Sequence, residues 1–187
     1  RNKPGKLSHS EVMTILISFH LGGYRNLKHY YLFYVSQHLN KEFPQLVSYN
    51  RFVELQLASC IDLTAKYLKL RADLWKIDAD KKTIIEKQLA LQVEINTNHE
   101  NIRKVLIGNQ SLSSDSAQNR KLLIVFVNLV EILELALATA FDHKTLHEKF
   151  DTHPQIIKSY STIATNLKKT LKQLSKNIES RTTYRSK

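Results

Sequence analysis

Ser48-Tyr49-Asn50-Arg51-Phe52-Val53-Glu54-Leu55-Gln56, followed by Leu57-Ala58-Ser59-Cys60-Ile61-Asp62-Leu63-Thr64-Ala65-Lys66-Tyr67-Leu68-Lys69-Leu70-Arg71-Ala72-Asp73-Leu74-Trp75, is the stretch on which the fold turns. Val53, Leu57, Ile61, Ala65, Leu68, Ala72 and Trp75 recur every three or four residues. That spacing keeps them on one side of a helix of about 3.6 residues per turn. Ser48 offers an N-cap, and neither Gly nor Pro interrupts the run before Asp78. The pattern predicts one long amphipathic helix, although the residues on either side of about position 56 differ in character.

Upstream, Ser8 and Glu11 have capping-box spacing, in which each side chain satisfies a free backbone N–H at a helix start. Val12, Ile15, Leu16 and Phe19 make an apolar stripe, and Gly22-Gly23 supplies the stop, because glycine accepts the left-handed conformation of a helix C-terminus. A second helix is expected from about Asn26 to Leu39, then a loop over residues 40–47 with Pro44. Together they predict an N-terminal helical hairpin. Nine of the sixteen aromatic residues fall in residues 1–56. Tyr24, Arg25, Lys28, His29, Tyr30 and Tyr31 interleave rings with bases, as nucleic-acid surfaces do when cations meet phosphate and rings brace sugar or base. The same pattern also suits a solvated basic face over buried Tyr31 and Tyr34.

Downstream, Lys76–Asp80 reads as a turn with Asp78 or Asp80 as cap. A helix to about Gly108 carries Ile84, Leu91, Ile95, Ile102 and Leu106 on one stripe. Asn109–Gln118 reads as a Ser-rich loop. Leu122–Phe141 is the most apolar segment and the expected centre of a bundle. Its Asn128, Glu131 and Glu134 suggest a polar seam facing Arg71 or Arg103, since buried charges need partners. Each of those mid-span carboxylates costs roughly 2.5–3.5 kcal/mol in a bilayer centre, so the segment is read as a soluble helix. A short helix is expected around His143–Phe150. Pro154 opens the last helix, in which Ile156, Tyr160, Ile163, Leu167, Leu171, Leu174 and Ile178 form an a/d-like stripe. Helices striped in this way bury their stripes against one another, so the predicted class is all-α, an antiparallel bundle of long amphipathic helices.

The 187 residues carry a formal charge of +11, with +4 in residues 1–56 and +7 in the rest. That balance favours nucleic acid or anionic lipid as partner. Cys60 is the only cysteine, so no disulfide framework is available, and a buried thiol in a reducing compartment is expected. His99-Glu100 has Arg103 where a zinc-protease helix needs its second histidine. His143 and His147, four apart, are candidate metal ligands weighed against surface histidines at a helix end. No nucleophile–base constellation or Gly-rich phosphate loop is legible, so neither an enzyme nor a cofactor is expected. Lys168, Lys169, Lys172 and Lys176 are the candidate contacts to lipid or another anion. A cytoplasmic basic cluster beside a membrane attracts anionic lipid by about 1 kcal/mol per residue.

Two resemblances sharpen the contrast at position 56. Leu7-Ser8-His9-Ser10-Glu11-Val12-Met13-Thr14-Ile15-Leu16-Ile17-Ser18-Phe19-His20, Tyr24-Arg25-Asn26-Leu27-Lys28-His29-Tyr30-Tyr31 and Phe43-Pro44-Gln45-Leu46-Val47-Ser48-Tyr49-Asn50-Arg51-Phe52-Val53-Glu54-Leu55 resemble the N-terminal region of DDE-type insertion-sequence transposases, the group usually written IS nine-eighty-two. The likeness covers about residues 3–55 and implies binding of duplex DNA, with Arg25, Lys28, His29 and Arg51 as the contacting residues. In that family a catalytic domain with three metal-binding carboxylates follows. Residues 1–56 contain no Asp, and no such domain is expected here. Ala65-Lys66-Tyr67-Leu68-Lys69-Leu70-Arg71-Ala72-Asp73-Leu74, Asn98-His99-Glu100-Asn101-Ile102-Arg103-Lys104-Val105-Leu106 and Leu129-Val130-Glu131-Ile132-Leu133-Glu134-Leu135-Ala136 resemble the soluble helical region of FUSC-like inner-membrane proteins of the YccS type, over about residues 57–180. That likeness implies a non-catalytic domain on the cytoplasmic side of the bacterial inner membrane, partnered by the membrane-embedded parts of an aromatic-acid-exporter-like protein. The expected organisation is a transposase-like segment, 1–56, joined to a FUSC-like bundle, 57–187.

Overall fold

The structure, a computed structural model, describes residues 7–76, 79–108, 116–138, 145, 148–150 and 152–181. Helix α1 spans His9–Leu21. Ser8 caps it as its spacing implies: the Ser8 backbone N–H donates to Glu11 Oε2 at 2.7 Å, and the Glu11 N–H donates to Ser8 Oγ at 3.3 Å. Gly22 closes the helix and Gly23 takes the left-handed turn at φ +66°. A Cβ on Gly22 would lie 2.6 Å from the Tyr24 ring, so the closing turn has no room for a side chain there.

Helix α2 covers residues 27–38 and is built from Leu27–His29, a π-helical Tyr30–Val35 and Ser36–His38. Asn26 caps it by accepting the His29 N–H at 2.9 Å. Tyr31 is buried, with its hydroxyl donating to the Val47 carbonyl at 2.7 Å and its ring 4.6 Å from that of Phe52. Tyr34, the other expected core ring, is 40% exposed and stacks on Tyr30.

Helix α3, Tyr49–Leu74, is the predicted long helix, and it passes through position 56 without a break. Ser48 Oγ accepts the Arg51 N–H at 3.4 Å. Helix α4 is Lys81–Gly108, opened by Asp80, whose carboxylate accepts the Thr83 hydroxyl at 2.6 Å and the Thr83 N–H at 3.2 Å; those bonds hold its pKa below the usual carboxylate range. Helix α5 is Ser116–Ala138, so the expected Ser-rich loop ends earlier than Gln118. Helix α6 is Pro154–Ser180, with Pro at its first turn, where the missing N–H costs nothing. The architecture is an all-α bundle, with no strand among the described residues.

Helix α3 is its centre, which corrects the expectation that Leu122–Phe141 would be. The predicted stripe of α3 is buried from Val53 to Ala72, but so are Phe52, Gln56, Ala58, Ser59, Cys60, Leu63, Thr64 and Tyr67. A helix buried on all sides needs neighbours on all sides. Helix α6 packs along it antiparallel: Ser161 Oγ donates to the Ala72 carbonyl at 3.3 Å, and Ser175 Oγ to the Ala58 carbonyl at 2.9 Å. Ala58, Ala65 and Ala72, buried along α3, let the two backbones approach closely enough for those bonds.

Helix α5 lies at the side. It buries Leu122, Phe126, Leu129 and Leu133, while Ile124, Val127 and Leu135 stay exposed. Glu131 and Glu134 are exposed too, so the expected polar seam facing Arg71 or Arg103 does not form, and Arg103 pairs instead with Glu100 at 2.9 Å. The a/d-like stripe of α6 is likewise only partly used. Leu171 is buried and Ile156, Leu174 and Ile178 half-buried, but Tyr160, Ile163 and Leu167 are exposed. Contact with α3 runs instead through Ile157, Ser161, Leu171 and Ser175, one helical flank away from the centre of the stripe.

The N-terminal helices share this core. Val12, Ile15, Leu16 and Phe19 of α1 and Tyr30, Tyr31 and Val35 of α2 belong to the same hydrophobic cluster as Leu57, Ile61, Ile102, Phe126 and Leu171. His20 Nε2 lies 2.7 Å from Asn101 Oδ1 of α4, and His9 Nδ1 lies 2.8 Å from Ser59 Oγ of α3.

Candidate functional site: two gatherings of cations

Four of the eight sequence-derived contact residues meet cations from other helices. Helices α4 and α6 both lean on α3, and between them runs a groove of about 610 Å³. Lys66 and Lys69 reach it from α3, Lys87 from α4, and Lys168 and Lys172 from α6, over a floor that includes Ala65, Ala90 and Leu91. Alanine at two floor positions leaves the space that a larger residue would fill. Asp62 and Glu94 are the acids in its walls. Lys66 pairs with Asp62 at 3.1 Å and Lys69 with Asp73 at 2.5 Å. Burial raises the Asp73 pKa, but Lys69 and Lys76 outweigh it and hold the carboxyl below its usual range. Lys169 and Lys176, the other two predicted lipid or anion contacts, are exposed on α6 outside the groove.

The second gathering lies between the N-terminal helices and α4. Arg25 and Lys28 line a pocket of about 360 Å³ with Arg103 and Lys104, over Leu16, Phe19, Leu27 and Val105. Glu100 takes Arg103 at 2.9 Å and Lys104 at 3.6 Å, while the Lys28 ammonium sits 5.9 Å from the Tyr49 ring centre. The other two predicted DNA contacts stand apart. His29 is exposed with its ring 4.5 Å from Phe33. Arg51 is committed to the protein itself: its guanidinium donates to Glu54 Oε2 at 2.7 Å, to the Ile178 carbonyl at 2.7 Å, and to the Glu179 carbonyl. It thereby caps the C-terminal end of α6, with a side chain only 13% exposed.

His143 and His147 lie outside the described residues, and among the described residues no cluster of three metal-ligating side chains occurs. Among the described residues, no helix is long and apolar enough to cross a membrane. Sequence reasoning found Lys168 and Lys172 but missed Lys66, Lys69 and Lys87, because nothing in linear spacing relates positions a hundred residues apart.

The family model described as "FUSC-like inner membrane protein yccS" matches residues 36–187. Its match begins well before the change of character near position 56 and runs through it. No curated protein and no solved structure matches the chain. With most of its length matched, the chain belongs to the FUSC-like inner-membrane protein family of the yccS type.

Proposed function

We propose that the chain is a non-catalytic helical domain of a FUSC-like, exporter-type protein, held at the cytoplasmic face of the bacterial inner membrane. There it works as an interaction module against anionic lipid and the membrane-embedded parts of its parent. The observation that carries this is the outer side of α6. Tyr160, Ile163 and Leu167 stay exposed along one flank of α6, and Lys158, Lys169 and Lys176 are exposed along the opposite flank. A helix with an exposed apolar flank and an opposite flank of exposed lysines suits the boundary between acyl chains and headgroups.

Trp75, the only tryptophan, stacks on Tyr160 with ring centres 5.1 Å apart and reports on that surface. Vesicles containing phosphatidylglycerol should shift its emission to the blue and sediment with the protein, less so as salt is raised. Phosphatidylcholine vesicles should do neither. Equal, weak association with both lipids would overturn the reading.

A second reading is a DNA-binding remnant of a transposase lacking its catalytic domain, in residues 1–56. The meeting of Arg25 and Lys28 with Arg103 and Lys104 favours it. Duplex DNA binding that falls steeply with salt and is lost in Arg25→Gln/Lys28→Gln would put it ahead.

A further inference from the structure

We propose that the groove between α4 and α6 is a binding site for a phosphoryl-bearing anion, held by Lys66, Lys87, Lys168 and Lys172. The site is independent of the exposed face of α6 that the membrane reading uses.

Five lysines from three helices line one groove whose walls hold two acidic residues, Asp62 and Glu94. Lys66 and Lys69 have carboxylate partners in Asp62 and Asp73. Among the described residues Lys168 and Lys172 have no ion pair within 4.0 Å, Lys87 has only the longer-range attraction of Asp80, and Lys168 is half-buried. Glu94, on the groove wall, has its oxygen 4.0 Å from His9 Nε2. Like charges converging over an apolar floor repel one another, and a bound anion removes that repulsion.

The chemistry of the cluster selects the anion. Lysine is a compact point charge with three donors and no preferred plane, so several lysines around one space suit the tetrahedral, multiply charged phosphoryl group. A flat carboxylate is better served by the fork of an arginine, and no arginine lines this groove. The volume exceeds that of one phosphate and admits a di- or triphosphate or a phosphorylated lipid headgroup. Ala65, Ala90 and Leu91 would meet the part of such a ligand that carries no charge.

The test uses the full chain, with tripolyphosphate and, separately, phosphatidylglycerol vesicles as probes. Lys87→Gln/Lys172→Gln removes two exposed groove cations. Lys169→Gln/Lys176→Gln makes the same charge change outside the groove and is the control. Calorimetric titration with tripolyphosphate should saturate at one site and weaken about tenfold or more in the groove variant but less than about threefold in the control. That outcome identifies a soluble phosphate compound as a ligand. If vesicle binding alone is lost in the groove variant and kept in the control, the phosphoryl group is that of a lipid headgroup, and the site stands. Equal losses in both variants, or no saturable binding to either probe, would show that the lysines only drape their stems over the apolar floor. The proposal would then be wrong. Retention of vesicle binding by the groove variant, with loss in the control, would overturn the lipid source while leaving the membrane reading intact.

Discussion

Replacing Arg51 with alanine strips the end of α6 of its main side-chain cap. The guanidinium joins Glu54 on its own helix to the last-turn carbonyls of Ile178, which otherwise accepts only a long 3.3 Å bond from the Arg181 N–H among the described residues, and of Glu179. Hydrogen bonds that involve a charged group contribute about 1.5–3 kcal/mol each. The carbonyls lie near the surface, where water can replace part of what is lost. Arg181, whose Nε is 3.2 Å from Glu54, retains that carboxylate in part. The net cost expected for Arg51→Ala is therefore about 2–4 kcal/mol, less than the sum of three full bonds. In a chain of this size that lowers the melting midpoint by roughly 5–12 °C. Arg51→Lys should lose more than half as much, because a single ammonium cannot span three acceptors in different directions. Urea unfolding monitored by circular dichroism, with the slope held in common, measures both. A loss below about 0.5 kcal/mol for Arg51→Ala would refute the reasoning and release Arg51 for ligand contact.

Gln56 is 1% exposed, and neither its Nε2 nor its Oε1 has a partner among the described residues. Gln56→Met keeps the volume and removes two unpaired polar atoms, so it should stabilise by about 1–2 kcal/mol in the same unfolding assay; a loss would reveal a hydrogen bond that Gln56 makes. His99 packs edge-on against Phe126, its Nε2 is buried with no hydrogen-bond partner among the described residues, and burial pushes its pKa below the ordinary imidazole value. The unfolded chain therefore binds the proton more tightly. Stability from this residue is present above about pH 6.5 and declines as pH falls through that value toward the lower native pKa. His99→Phe should flatten this part of the profile between about pH 7 and 5, and an unchanged slope would mean that His99 is hydrated in the native state.

Element boundaries were legible because their causes are local. The Ser8–Glu11 box, the Gly22-Gly23 stop, the caps Ser48 and Asp80 and the Pro154 start each act within one turn of where they stand. The burial of Val53, Leu57, Ile61, Ala65, Leu68 and Ala72 follows from helical period alone. The choice of α5 as the centre failed because hydropathy ranks Leu, Ile and Val above small residues. Close packing rewards Ala58, Ser59, Cys60, Thr64, Ala65 and Ala72, which let neighbours approach α3 from every side. The candidate sites were legible only in part. Lys168 and Lys172 stood out as a basic run, but nothing local marked Lys66, Lys69 or Lys87 as their neighbours, or gave Arg51 to the far end of α6.

By itself, then, the sequence determined that the chain is helical, where most helices start and stop, which side of α3 is apolar, and that the whole is cationic. Tertiary structure alone decided which helix sits in the middle, how far α6 turns its stripe away from the core, and which lysines share a groove. The periodicity of a helix defines its faces but not its neighbours. The neighbours are set by contacts between residues as far apart as Arg51 and Ile178 or Ala58 and Ser175, and only the packed chain brings those pairs together.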